Sequence, residues 1–367
     1  MGVAQPAGMP RRASAACCLA VLAIASVGAQ SSVHELNDAG WKALRDGYVD
    51  RAARLFGEAL TLRPDDAVLL FGYGAVAHAQ GRQRDAMARL RRALEIEPRL
   101  TNASRLLGRI AFDEGDAELA VRTYEHALKF APNDAQLASE LAAWRRDTET
   151  HRSFEERRYD RFRVMFEGRA EESLAAQATA VFNSAFWRIG NALGEYPSST
   201  IVAVLYTEKQ FRDITRAPEW SAGQYDGRIR VPVAGAAQKP ELFERVLTHE
   251  LAHAIVAGIA PRGVPHWLNE GIAQYFEGAD PAAAKKRLQA VGRSIPLKAL
   301  EGGFGGLTPF QAQVAYDESL LAALVLFDRP AFGWTRLLHR LAGGQTFEDA
   351  ISNFGLSYAD LEAPFRR

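Results

Sequence analysis

His249-Glu250-Leu251-Ala252-His253 places two imidazoles and a carboxylate within five positions, and sixteen residues then intervene before Glu270. His249 and His253 are i and i+4, so on a helix both rings leave one face a turn apart. Two imidazoles so spaced can grip one Zn²⁺ ion. Glu250 neighbours the first ligand but points to another sector, so it can reach a water on the metal without taking a coordination place. Zinc lowers the pKa of such a water to roughly 7. Glu250 can then remove its proton as general base and return it to a leaving amine. A catalytic zinc keeps three protein ligands and one open position, and Glu270 would complete a His₂Glu set.

These residues need helices to hold them. Phe243, Val246, Leu247, Leu251, Ile255 and Val256 recur at threes and fours, which predicts a buried amphipathic helix over about Pro240–Ala257. A second helix is expected from about Trp267 to Phe276, carrying Glu270. Gln274 and Glu277 lie i+4 and i+7 from Glu270, on roughly the same face. Metal-ligating His usually gives its second N–H to a carboxylate or carbonyl, which makes Glu277 a candidate for that role. His266, just before this helix, is a candidate to line the cleft.

HELAH followed by Trp267-Leu268-Asn269-Glu270-Gly271 and a later Glu resembles the gluzincin peptidases, which include thermolysin-like enzymes and metallo-aminopeptidases. It is similar in particular to bacterial peptidase MA-like proteins with tetratricopeptide (TPR) repeats. The resemblance implies an α+β, mainly helical thermolysin-like domain with a small edge-exposed β-sheet, one catalytic Zn²⁺ and peptide or protein substrates. Related enzymes have a Tyr at the start of a helix after the third ligand, donating to the oxyanion. Tyr316, in the stretch Ala315–Ser319 that opens an apolar helix, is the matching candidate. The Gly-x-Met-Glu-Asn signature of metallo-aminopeptidases is absent, which favours an endopeptidase or an unusual exopeptidase.

Upstream, residues 33 to about 136 repeat with a period of 34. Gly40, Gly74 and Gly108 align, as do Gly47, Gly81 and Gly115, the alanines 52, 86 and 120, and the prolines 64, 98 and 132. Each unit reads as helix, Gly turn, helix, Pro stop, which matches the TPR repeat and predicts an α-helical solenoid of three units. Phe56, Leu90 and Tyr124 occupy one core slot in successive units. A capping helix is expected at Asp134–Arg146, continuing towards Arg152 as a solvated helix.

TPR arrays bind peptides or protein segments on a concave face. By that resemblance the groove positions are His34, Asn37, Trp41, Arg45, Phe71, His78, Asn102, Arg105, Arg109 and Asp113. Asn102, Arg105 and Arg109 would suit a carboxylate or acidic segment. The alternative is that the groove packs on the rest of the chain.

Of 367 residues, 48% are hydrophobic and 24% charged, with 44 basic against 44 acidic, an ordinary globular composition that gives no reason to expect a nucleic-acid partner. Arg11 and Arg12 precede an apolar run, and Val27-Gly28-Ala29 is a small-residue cleavage site. Residues 1–29 therefore read as a secretory signal peptide, giving an exported, periplasmic or secreted protein. Both cysteines, Cys17 and Cys18, lie in that segment. No later apolar run is long enough for a stable membrane span after signal cleavage.

The expected domains are 30–150, the TPR array with its cap, and 151–367, the peptidase. Residues 147–160 are polar and aperiodic and read as a linker. Strands are expected at Phe162–Phe166, Ile201–Tyr206 and Arg228–Val233, the last an edge strand because of Pro232. Such an edge would pair with an extended substrate. Two further readings use the same residues: a TPR adaptor whose zinc fold is structural or inactive, and a zinc hydrolase of non-peptide amides or esters.

Overall fold

The computed structural model describes residues 33–168, 172–215 and 223–365, so residues 1–29, expected to be a signal peptide, lie outside the described residues. Seven helices come first: α1 (33–45), α2 (Val49–Leu62), α3 (Ala67–Ala79), α4 (Gln83–Ile96), α5 (Thr101–Asp113), α6 (Ala117–Leu128) and α7 (Ala135–Thr150). They form three antiparallel pairs and a cap. Phe56, Leu90 and Tyr124 are fully buried, as their shared slot requires.

The turn glycines Gly47, Gly81 and Gly115 have φ of 81°, 71° and 83°, a left-handed conformation that costs other L-residues energy. Each also lies against the second half of the chain. A Cβ on Gly47 would sit 2.7 Å from the Cα of Gly343, one on Gly81 would meet the Ser198 hydroxyl, and one on Gly115 would meet the Arg163 guanidinium. The array thus docks by the edge that carries its turns.

The remaining elements are β1 (Glu155–Tyr159), β2 (Phe162–Phe166), α8 (Glu172–Leu193), β3 (Ile201–Tyr206), α9 (Glu208–Thr215), β4 (Gln224–Tyr225), β5 (Ile229–Pro232), α10 (Pro240–Ile259), α11 (His266–Glu277), α12 (Pro281–Val291), α13 (Pro309–Phe327), α14 (Trp334–Ala342), α15 (Phe347–Ser352) and α16 (Tyr358–Glu362). The sheet runs β1-β2-β3-β5-β4, with β2, β3 and β5 parallel and the two outer strands antiparallel. All six residues of β3 are buried, as an apolar β-branched run at a sheet centre demands. Helices α8 and α10 cover one face, and one continuous apolar core joins them to α11, α13 and α14. Among the described residues no helix is long and apolar enough to cross a membrane.

Three expectations change. The 147–160 segment is not a linker. Its residues 155–159 form β1, a polar strand that pairs along its length with β2. Its side chains are exposed or half-buried, so no apolar alternation marks it. The cap buries Leu137, Leu141 and Trp144 as expected, but its continuation is not simply solvated: Asp147 of α7 and His151 just after it are buried. And β5 is not the edge, because Asp226 and Gly227 turn the chain so that β4 covers Arg230 and Ile229. Pro232 is tolerated because β4 ends before reaching it.

Candidate active site

Helix α10 opens with Pro240 in its first turn, where a missing N–H costs nothing, and buries the face that includes Leu247, Leu251, Ile255 and His253. Helix α11 crosses it and stops at Gly278, whose φ is 80°. Their packing brings three donor atoms together. His249 Nε2 and His253 Nε2 are 3.1 Å apart, and Glu270 Oε2 lies 3.5 Å from the first and 3.7 Å from the second. Metal–donor bonds of 2.0–2.1 Å at tetrahedral angles give donor–donor edges of about 3.3 Å, so the triangle fits one zinc-sized ion. Glu270 Oε2 is buried without a hydrogen-bond partner, the state of an atom reserved for a cation.

The surroundings hold that triangle. His249 Nδ1 is 3.3 Å from Glu277 Oε2, and Arg245 Nη2 donates to Glu277 Oε1 at 3.1 Å. Arg245 lies one turn before His249 on α10, so helical spacing was the signal that could have found it. The Asn269 side chain stands against His253 and favours its charged form. His266 Nε2 lies 3.5 Å from Glu270 Oε1, at the rim of the cleft. Gln274 donates to the backbone carbonyl of Tyr316 at 2.9 Å and so ties α11 to α13.

Glu250 is buried, and burial pushes its carboxyl up to about 7. Burial alone would lower His249, but the facing carboxylates of Glu270 and Glu277 raise it well above the ordinary imidazole range. Burial lowers His253. Burial works to raise Glu270, yet the two imidazoles outweigh it and hold the carboxyl at about 2. Two ionised carboxylates, Glu270 and Glu277, thus face the imidazole pair, an excess of negative charge suited to a divalent ion.

Tyr316 is partly buried, with its ring edge-on to Phe304 at 5.1 Å. Burial raises its phenol, and the carboxylates of Glu270, Glu250 and Glu277 add to that rise, which puts the hydroxyl in the field of the site. It lies within α13 rather than at its start: the helix begins at Pro309, capped by Thr308 and Gln311. Gly223 was missed by sequence reasoning. A Cβ there would sit 2.7 Å from Glu250 Oε1, so the chain entering β4 passes directly over the carboxylate.

The model of the Peptidase MA superfamily matches residues 179–367. The chain belongs to this superfamily. Tetratricopeptide-repeat models match residues 43–110 and 106–134. No curated protein matches the chain. Among solved structures, the first TPR of Spaghetti (RPAP3), bound to the HSP90 peptide SRMEEVD, is similar at 20% identity with a TM-score of 0.31, over 32% of this chain and 97% of that one.

The repeats meet the Peptidase MA domain through a buried polar cluster. Arg228 precedes β5 and Arg230 is its second residue, and each donates to Asp147 of α7 at 2.6 Å. Arg228 also donates to the Phe112 carbonyl at 3.1 Å and lies 3.9 Å from that ring's centre. His151 Nδ1 is 3.2 Å from Asp147, and its Nε2 is 2.6 Å from the Tyr206 hydroxyl.

The groove candidates lie on the first helix of each unit, α1, α3 and α5. Trp41 stacks obliquely on Phe71 at 4.9 Å, and His78 is tied to Gln83 at 2.8 Å. Arg45, Asn102, Arg109 and Asp113 are exposed. Arg105 pairs with Asp134, and Arg109 donates to Glu140 at 2.7 Å, so α7 already neutralises the guanidiniums expected to take an acidic segment.

Proposed function

We propose that this is a zinc-dependent peptidase in which Glu250 is the general base, His249, His253 and Glu270 are the metal ligands, and Tyr316 is the oxyanion donor. The observation that carries the reading is the convergence of the three donor atoms beside a buried carboxylate. When bound, the ion would supply a Lewis acid for the substrate carbonyl and for the attacking water. Glu250, desolvated beneath Gly223, accepts the proton of that water and delivers it to the departing amine. A carboxyl near 7 can do both at neutral pH. Tyr316, whose burial keeps it protonated, donates to the oxygen on which charge accumulates. Glu277, braced by Arg245, fixes the ring orientation of His249 so that Nε2 faces the ion.

The terminal strand β4 offers a backbone edge for an extended substrate, and TPR repeats support protein or peptide binding. The N-terminal signal-like segment favours action after export, in the periplasm or outside the cell. Glu250 weighs against a purely structural zinc site, which has no need of a carboxylate in that position.

The test compares bound zinc and cleavage of an unfolded protein for wild type and Glu250→Gln. Equal zinc in both, with cleavage by wild type alone, is expected. Cleavage by both, or wild type without metal, would overturn the mechanism.

A further inference from the structure

Between Leu300 and Ala312 the chain buries a single residue, Phe304, and sets two glycines on either side of it. At Gly302, Gly303, Gly305 and Gly306 an added Cβ would meet nothing within 4 Å, and of the four only Gly303, with φ of 118°, needs glycine for its backbone. The other three serve neither a close approach nor a left-handed turn. What they give the loop is backbone freedom. Its two ends are pinned. His266 donates its N–H to the Glu301 carbonyl at 3.0 Å, the Tyr358 hydroxyl donates to the Glu301 carboxylate, and Thr308 and Gln311 cap α13. Between those pins, among the described residues, the loop is held by one backbone hydrogen bond, from the Leu307 N–H to the Phe304 carbonyl at 3.0 Å, and by the Phe304 ring.

That ring sits between two residues of the candidate active site. The His266 ring stands perpendicular to it at 4.6 Å and the Tyr316 ring perpendicular to it at 5.1 Å. Perpendicular pairs set the positive edge of one ring against the negative face of the other, an arrangement that resists rotation of either. Tyr316 needs such a hold. Its backbone is fixed within α13, where Gln274 donates to its carbonyl at 2.9 Å. Its hydroxyl makes no hydrogen bond among the described residues, as befits a group that is to donate to a substrate. The angle of the phenol therefore rests on packing, and Phe304 is the one aromatic ring against it among the described residues.

We propose that Phe304 is a positioning residue for the reaction: its ring holds the Tyr316 phenol in its donating orientation, and the glycines let a short connection press that ring into place without imposing a backbone shape of their own. This rests on the peptidase reading above. Phe304 acts through Tyr316, so its contribution disappears when the Tyr316 hydroxyl is removed.

The test is a double-mutant cycle on the whole chain loaded with zinc, with a quenched fluorescent peptide of mixed, unstructured sequence as substrate. Phe304→Ala should lower kcat by about 10-fold with KM and bound zinc unchanged, because a misplaced donor costs rate rather than binding. In a Tyr316→Phe background the same substitution should change kcat by less than about 2-fold. Phe304→Leu, which keeps the apolar volume, runs the same cycle if Phe304→Ala does not fold. An equal fall in both backgrounds, or a fall that follows the loss of zinc, would overturn the proposal. Gly306→Ala is the control, since its Cβ has open space. A fall equal to that of Phe304→Ala would place the effect in the loop backbone and overturn the proposal as well. A second readout needs no turnover: 3-fluorotyrosine at position 316 should give one sharp fluorine resonance in the otherwise wild-type chain and a broadened or split one with Phe304→Ala. An unchanged line would overturn the proposal. A changed line in a protein that cleaves nothing would instead overturn the peptidase reading and keep Phe304 as the residue that orients the ring.

Discussion

His249 Nδ1 lies 3.3 Å from Glu277 Oε2, and that carboxylate is itself held by Arg245. The imidazole is therefore oriented before any ion arrives. Outer partners of this kind are worth about 10–100-fold in metal affinity. Glu277→Ala should weaken zinc binding by that factor, measured by competition with a chelator of known affinity. Unaltered affinity would mean that Glu277 does not orient the ligand.

The Asp147 carboxylate is the hub between the repeats and the sheet. Burial works to raise it, but His151, Arg230 and Arg228 outweigh that and hold it far below the usual carboxylate range. Removing it leaves two buried guanidiniums short of a partner. Asp147→Ala should cost about 3–5 kcal/mol in urea unfolding. Because the folded group titrates below the unfolded one, the stabilisation is fully present above the unfolded pKa. The gap between wild type and variant should stay level from neutral pH to about 5 and close only as pH falls below about 4. A gap that widens in acid would contradict the assignment.

Glu318 titrates the opposite way. It accepts from the Ile295 N–H at 2.9 Å, yet burial pushes its carboxyl up to about 7, and nearby Glu362 adds to the rise. The folded state then holds a proton that the unfolded chain has released, so wild type loses stability as pH rises from about 4.5 to 7. Glu318→Gln lacks this loss. Its advantage over wild type should grow from near zero at about pH 4 to the order of 3 kcal/mol above pH 7. A pH-independent difference would refute it.

Gly47 has φ of 81° and faces the Gly343 backbone, which cannot rotate away as a side chain can. Gly47→Ala should cost about 2 kcal/mol or more, read as a lowered midpoint in thermal unfolding. An unchanged midpoint would mean that the docked edge is loose.

What was legible in the sequence was whatever depends on local spacing. His249 and His253 are a helical turn apart, the glycine columns repeat at 34, and β3 is a bare apolar run. Each can be read without knowing what packs against it. Asp147, Arg228 and Arg230 were invisible for the converse reason. They are three charged residues up to 83 positions apart, ordinary surface chemistry in sequence and buried only because α7 meets β5. Strand β1 hid because its partner strand, not its own pattern, makes it a strand. The paired state of Arg105 and Arg109 likewise depends on acids of α7 that no repeat register predicts.

The three docked turns also bear on how this architecture can change. A free solenoid is modular, since each unit touches only its neighbours and units can be gained or lost. Here Gly47, Gly81 and Gly115 each meet a different point on the second half of the chain, at Gly343, Ser198 and Arg163. An inserted unit of 34 residues would carry at least one of them away from its seat. The repeat number is therefore fixed by the Peptidase MA domain, and repeats and Peptidase MA domain are expected to melt as one body rather than unit by unit.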